Sequence, residues 1–480
     1  MSNPPTEYDR QQALAFLFDR VDYERALSVS YGKRTYKLER MRRLLSLLGE
    51  PQNGLPIVHV AGSKGKGSTA AMIAAVLSAA GYTTGLYSSP HLDRLEERLV
   101  VDGRQCSAQE LIDLVAALRA AVGRMRGNGS PAAEPTYFEL TTAMALLHFA
   151  RRGVDAAVLE VGMGGRLDST NVCTPRVSVI TSISFDHTRQ LGTTLAEIAG
   201  EKAGIVKPGV PVVSGVAQEE PRQVIQRVCR QRGSRLIQAG IDFHYDYDPP
   251  QRRMSAADAE MDSVPRGTVD VKLPSARSTW RHLSTLELAL LGRHQAANAA
   301  AAVAVFDELV QQGWRIEQSH VRAGLSSVKW PVRVELIGRA PLVVVDAAHN
   351  VASLAATFET VDEHFAAERR LLIFATTLEK DVRGMLKLAA PRFDRIVLTR
   401  YTSNPRGVPV AELEAIAGHL GARHCTICPD PTTAWREATS WAGRGDLIVA
   451  SGSFFLAAEI RGLYAATIST QSSVSVSAGG

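Results

Sequence analysis

Cysteine is scarce in this sequence, and long apolar runs are missing. Five cysteines in 480 residues (Cys106, Cys173, Cys229, Cys425 and Cys428) are scattered and odd in number, which argues against a disulfide framework and implies free thiols. The C-x-x-C at Cys425 and Cys428 has no second pair at zinc-site spacing and reads as two small buried side chains. Apolar stretches such as Ala70 to Ala80 fall well short of the ~20 residues a membrane span needs. The opening M-S-N-P-P-T-E-Y-D-R lacks the charged-then-apolar pattern of a secretory signal, so a cytoplasmic, membrane-free protein is expected. Blocks of like charge are also missing: 54 Lys and Arg stand against 49 Asp and Glu, spread along the chain for a net +5. That mild balance argues against nucleic acid and suits small anionic partners.

A hydrophobic content of 45% over this length allows two or three domains, because single cores stop growing at roughly 250–300 residues. Short apolar strands alternate with amphipathic helices in two stretches, the signature of parallel sheets covered on both faces. In the first, Leu55 to Val60, Thr84 to Tyr87, Ala156 to Val161 and Val177 to Ile183 read as strands, and Ser68 to Ala80 and Leu140 to Arg151 as helices. In the second, Leu342 to Val345, Leu371 to Phe374, Arg395 to Leu398 and Asp446 to Ala450 are strands between helices at Ala352 to Phe365, Val410 to His419 and Thr432 to Ala442. A polar segment, His244 to Leu283, alternates like a few antiparallel strands and is expected to close off the first domain. Gly292 to Leu309 reads as an Ala-rich helix. The expected fold is α/β: an N-terminal P-loop ATPase-like domain with a small β subdomain over 1–329, a C-terminal Rossmann-like domain over 330–466, and a disordered Ser-, Thr- and Gly-rich tail over 467–480.

The stretch H-V-A-G-S-K-G-K-G-S-T (residues 59–69) resembles a phosphate loop, yet it fails the usual G-x-x-x-x-G-K-S/T pattern at Val60 and Gly67. Its context still points to a nucleotide. An apolar strand ends at Val60, three glycines follow within six residues, and a helix then begins. Glycines admit close backbone approach and positive φ, while successive N–H groups and the helix N-terminus attract an anion. Lys66 adds charge for the phosphates, and Ser68 a hydroxyl for Mg²⁺. Other strands end in Glu160 with G-M-G-G-R-L-D, in S-F-D-H with Asp186 and His187, and in S-S-P-H with Ser88 and Ser89. A capping Glu or a core His explains any one of these, but three polar strand ends beside one loop suit a divalent ion that also holds phosphate oxygens.

At these residues the chain resembles the folylpolyglutamate synthase and dihydrofolate synthase family within the ATP-dependent Mur-type ligases. The resemblance spans roughly Tyr8 to Leu463. It rests on H-V-A-G-S-K-G-K-G-S, L-Y-S-S-P-H-L, T-Y-F-E, L-E-V-G-M-G-G-R-L-D-S-T-N, T-S-I-S-F-D-H-T and E-K-A-G-I-V-K-P-G, then W-P-V-R-V-E, V-V-D-A-A-H-N and A-S-G-S-F. It implies that Gly65, Lys66, Gly67 and Ser68 hold ATP phosphates, and that Ser68, Ser89, Glu160 and His187 serve two Mg²⁺ ions. It also implies that Lys202 is carbamylated, that Asn298, Arg333 and Asp346 contact ATP, and that His349 is catalytic along with Lys66 and Lys202. Thr136, Tyr137, Phe138, Glu139, Leu167, Asp168 and Ser169 correspond to the pterin site of the bifunctional bacterial members. A helix-opening capping box also accounts for Thr136 and Glu139, and both roles can hold at once. The family's usual G-A-H-N-P stands here as A-A-H-N-V, and Lys64 replaces a common Asn.

The implied reaction joins L-glutamate to dihydropteroate or reduced folates through an acyl phosphate, releasing ADP and phosphate. Charge neutralisation and positioning are then the chain's task. A monomer suffices. The rival within the same architecture is a ligase for another carboxylate such as a UDP-muramyl peptide. A non-catalytic nucleotide-binding protein is the rival from outside it.

Overall fold

The computed structural model describes residues 6–22, 38–126, 134–258, 260–261, 263–420 and 424–477. They divide into two compact units, one drawn from residues up to 247 with 269–289 and 295–328, the other from 248–268, 290–294 and 329 onward.

The first unit is organised by eight strands: β1 (Ile57–Ala61), β2 (Thr84–Tyr87), β3 (Leu99–Val101), β4 (Arg104–Gln105), β5 (Ala156–Glu160), β6 (Val177–Ile180), β7 (Val212–Ser214) and β8 (Leu236–Gln238). They lie in the order β4-β3-β2-β5-β1-β6-β7-β8, parallel except that β2–β3 and β3–β4 pair antiparallel. Every residue of β1 and β5 is buried, as parallel strands covered on both faces require. One core cluster joins the sheet to helices Glu7–Phe18, Ala108–Arg126 and Tyr137–Arg152 through Leu17, Leu114, Leu118, Leu140 and Phe149. Another joins it to Leu195–Ala203 and Glu219–Gln231 through Ile198, Ala203 and Ile225. Because β1 is central, with Val60 in register with Glu160 on one side and Val179 on the other, the loops leaving β1, β5 and β6 emerge side by side, where open α/β sheets bind ligands. A separate three-stranded sheet of β9 (His244–Asp248), β10 (Thr268–Lys272) and β11 (His282–Glu287), ordered β11-β10-β9, completes this unit.

The second unit has a six-stranded sheet of β12 (Glu335–Arg339), β13 (Leu342–Val345), β14 (Arg370–Phe374), β15 (Arg395–Leu398), β16 (Cys425–Ile427) and β17 (Leu447–Ser451). Its order is β12-β13-β17-β14-β15-β16, with β12 alone antiparallel to its neighbour. Residues 248–268 join this unit rather than the first. Met254 N–H donates to His364 O at 2.7 Å, and Ala366 N–H to Met254 O at 2.8 Å, pinning the segment beside helix Val351–His364. The last helix runs Phe454–Ser477, through residues whose composition leads one to expect an unstructured tail. Once nucleated on packed Leu456, Ala457 and Ile460, a helix extends at the cost of fixing only one residue per added bond.

Candidate active site

The loop after β1 is shaped by glycine and tied to β6. Gly65 occupies the cap of helix Lys66–Ala79 at φ +80°, and a Cβ there would lie 2.3 Å from Asn298 Oδ1, so both backbone and space demand glycine. Ser182 Oγ donates to Lys64 O at 3.0 Å, and Ser63 N–H donates to Ser182 O at 2.8 Å. The helix first turn carries no acidic residue. Its orphan N–H groups and positive dipole end are therefore offered to an anion. Ser68 sits in that turn, 2% exposed.

Two lysines converge on one acceptor. Lys66 Nζ donates to Gly62 O at 3.2 Å, and Lys202 Nζ, from the last turn of helix Leu195–Ala203, donates to the same oxygen at 3.0 Å. Lys202 is 4% exposed. Burial, and then the charge of Lys66, brings its ammonium down from 10.5 to about 7, since desolvation and like charge both disfavour the protonated form. A neutral amine at near-neutral pH is the species that can take up CO₂, so this residue fits carbamylation.

At the ends of β2 and β5, Ser89 N–H donates to Glu160 Oε2 at 3.3 Å, and Glu160 is 6% exposed. His187 begins a short helix at φ 49° with Asp186 Oδ2 at 3.8 Å from its Nε2. Among the described residues no three His, Cys, Asp or Glu side chains are gathered as a metal cage. The Ser68 and Ser89 hydroxyls and the Glu160 carboxylate are of the oxygen type that suits Mg²⁺ when water and phosphate oxygens complete its shell.

The pterin candidates separate into buried struts and half-buried faces. Thr136 and Glu139 form the capping box of helix Tyr137–Arg152, and Arg40 Nε reaches both Glu139 oxygens at 2.7 and 3.0 Å. Tyr137 is 1% exposed, with the Phe18 ring at 5.8 Å and the Arg98 guanidinium at 5.4 Å. Asp168 is buried and its carboxyl is pushed up by burial. Its oxygens accept from Met163 N–H at 3.0 Å, Thr170 N–H at 3.0 Å and Thr170 Oγ1 at 2.5 Å. Ser169 Oγ lies 2.7 Å from Thr142 Oγ1. Phe138 and Leu167 are partly exposed. The oxygens of Glu139 and Asp168 are thus occupied within the fold, the Tyr137 ring is packed, and Phe138 and Leu167 keep open surface.

In the second unit, Arg333 lies between Val332 at φ 52° and Val334 at φ 47°, a left-handed pair of buried β-branched residues, which is a costly conformation. Asp346, 4% exposed, holds the turn. Its Oδ2 accepts Val334 N–H at 2.9 Å, while Oδ1 accepts Ala348 N–H at 2.8 Å and Thr357 Oγ1 at 2.7 Å. His349 Nδ1 lies 3.0 Å from Ala347 O, which places a proton on Nδ1. Asn350 caps helix Val351–His364 through Ser353 N–H at 3.0 Å, so Val351 opens that helix without a proline.

The sequence reading missed Gln295, Arg40, Arg98 and Thr357. Gln295 had a signal: it lies three residues before Asn298 on one Ala-rich helix, so the two amides share a face.

Residues 60–306 match the Mur ligase middle domain, and residues 332–454 match the Mur ligase glutamate ligase domain. A Bacillus subtilis dihydrofolate synthase/folylpolyglutamate synthase is 32% identical over 92% of this chain and 98% of its own length. The chain belongs to this family of Mur-type ligases. A Halobacterium salinarum probable bifunctional folylpolyglutamate synthase/dihydropteroate synthase is 36% identical over 87% of the chain, which spans only 48% of that protein's length. The Mycobacterium tuberculosis folylpolyglutamate synthase complexed with ADP superimposes with a TM-score of 0.81 at 31% identity, covering 95% of this chain and 98% of the other. Within the family frame, the glycine loop at the centre of the first sheet and the H-N turn after β13 fall in the two matched domains, one in each.

Proposed function

We propose that this chain is an ATP-dependent amide ligase that joins L-glutamate to dihydropteroate and to reduced folates, releasing ADP and phosphate. It acts as a monomer in the cytoplasm, with a nucleotide-binding domain up to about residue 329 and a second α/β domain beyond. Among the described residues no helix is long and apolar enough to cross a membrane. The observation that carries the reading is the Gly65 loop, with Lys66 and Lys202 aimed at a single carbonyl beside it.

A carboxylate is a poor electrophile, so its oxygen attacks the γ-phosphorus of ATP, the bond to ADP breaks, and an acyl phosphate forms. The glutamate amine then attacks the acyl carbon, phosphate leaves, and the amine gives up a proton. In this scheme the N–H groups of Gly65, Gly67 and Ser68 bind phosphate oxygens, and Lys66 and His349 offset charge on the transferring group. Asn298, Arg333 and Asp346 serve the nucleotide, and Lys202 as a carbamate changes a buried cation into an anion. Bound magnesium supplies positive charge to the phosphates, held through Ser68, Ser89, Glu160 and His187. Phe138 and Leu167 offer surface to the flat heterocycle, backed by Thr136, Tyr137, Glu139, Asp168 and Ser169.

The test is ADP release with Mg-ATP and L-glutamate, comparing 7,8-dihydropteroate with tetrahydrofolate. Turnover of both is expected. Turnover of tetrahydrofolate alone removes the dihydrofolate synthase activity, and turnover only of a UDP-muramyl peptide overturns the folate reading.

A further inference from the structure

Gln295 belongs to no motif singled out above, yet it is 1% exposed and joins Asn298 to a hydroxyl of the phosphate loop. Asn298 Nδ2 donates to Gln295 Oε1 at 2.9 Å. In this arrangement Gln295 presents Nε2 to the loop and donates to Ser68 Oγ at 3.3 Å. Asn298 Oδ1 in turn fills the space a Cβ on Gly65 would occupy. One amide pair thus spans from the helix cap to the hydroxyl three residues later, across 227 positions of sequence.

A hydroxyl has one proton and two lone pairs. With one lone pair of Ser68 taken by Gln295, the proton and the remaining lone pair are left for a phosphate oxygen and a cation, and the hydroxyl cannot rotate freely between them. We propose that Gln295 is a positioning residue for the phosphate loop, aimed by Asn298 and acting through the Ser68 hydroxyl. The inference rests on the reading of Ser68 as a nucleotide and cation ligand. The alternative, a packing amide that satisfies itself inside the fold, places no demand on the nucleotide.

Binding measurements separate the two. ADP and Mg-AMPPCP are titrated calorimetrically into the full-length protein, its Gln295→Leu and Ser68→Ala variants and the double variant, with thermal melts alongside. The removal of one hydrogen bond of ordinary worth predicts a roughly 3- to 10-fold weaker Mg-AMPPCP affinity for Gln295→Leu. It also predicts a smaller loss for ADP without Mg²⁺, an unchanged KM for the pterin acceptor, and no further loss when Gln295→Leu is added to Ser68→Ala. Gln295→Glu, which keeps the volume but reverses the direction of the Ser68 bond, is expected to weaken binding at least as much and guards against a Leu variant that does not fold. Unchanged nucleotide affinity with a lowered Tm, or full additivity with Ser68→Ala, overturns the proposal. If Ser68→Ala itself binds Mg-AMPPCP normally, the reading of Ser68 fails first, and Gln295 loses its role with it.

Discussion

Replacing Lys202 with methionine should make the ligand-free protein more stable while destroying its activity. The side chain is buried, and its folded ammonium titrates near 7 against 10.5 when unfolded. Between those values the unfolded chain binds more protons, so stability rises with pH. The penalty is complete below about pH 7 and gone above about 10.5. At about 1.4 kcal/mol per pH unit its ceiling is about 5 kcal/mol, and the same linkage gives about 4 kcal/mol at pH 7 and about 2 kcal/mol at pH 9. Methionine carries no proton and keeps most of the stem, at the loss of one bond to Gly62 O worth about 1 kcal/mol. Urea unfolding in CO₂-free buffer should therefore show Lys202→Met about 3 kcal/mol more stable at pH 7, with the gap shrinking by about 2 kcal/mol at pH 9. Bicarbonate should narrow the gap at pH 7, because carbamate formation removes the buried ammonium, and ¹³C-labelled bicarbonate should give a carbamate resonance missing from the variant. A gap that does not move with pH would refute the argument.

His59 is fully buried, with Nε2 2.8 Å from Thr170 Oγ1, and burial holds its pKa at about 3 against 6.5 unfolded. Stability should fall as pH drops from 6.5 toward 3, by about 3 kcal/mol at pH 4.5, and His59→Gln should lose that acid limb in unfolding curves compared across pH. Gly65→Ala should raise the ATP KM at least tenfold and lower Tm, because a left-handed alanine costs about 1–2 kcal/mol and its Cβ meets Asn298 Oδ1 at 2.3 Å; an unchanged KM would mean that the loop relaxes. Arg40→Ala, which removes the guanidinium whose Nε reaches both oxygens of buried Glu139, should destabilise by about 3 kcal/mol and raise the dihydropteroate KM more than the ATP KM in steady-state assays.

Much of the sheet was legible because its information is one-dimensional. Largely apolar strands such as β1 and β5, each reaching a glycine within two residues of its end, state both a buried parallel strand and the place where its loop emerges. The glycine loop was legible for the same reason. What did not show was the fate of each polar atom. Glu139 and Asp168 have the residue types a pterin site needs, but their oxygens are taken by Thr136, Arg40, Met163 and Thr170. A sequence gives the number of acceptors a residue brings and not the donors that reach them. The boundary at 248–268 was hidden likewise, since Met254 joins the second unit through backbone bonds to His364 and Ala366 that any residue could make.

Asp346 carries this reasoning one step further. By type and place it suits a nucleotide contact, yet three donors already occupy its two oxygens, and one of them is the N–H of Val334. Left-handed backbone at Val332 and Val334 is a conformation a valine reaches only under constraint. The constraint is visible: Glu335 Oε2 accepts Val332 N–H at 2.8 Å, Ala347 N–H donates to Val332 O at 3.0 Å, and Asp346 holds Val334. The residue caught between the two strained valines is Arg333, the cation of the turn, whose Nη1 leans on Val332 O at 3.0 Å. A carboxylate facing a triphosphate would oppose it, whereas a carboxylate spent on bending the chain can fix the direction of an arginine that attracts it. In the proposed nucleotide site the buried acid and the strained turn would then act together, with Arg333 as the charge they present.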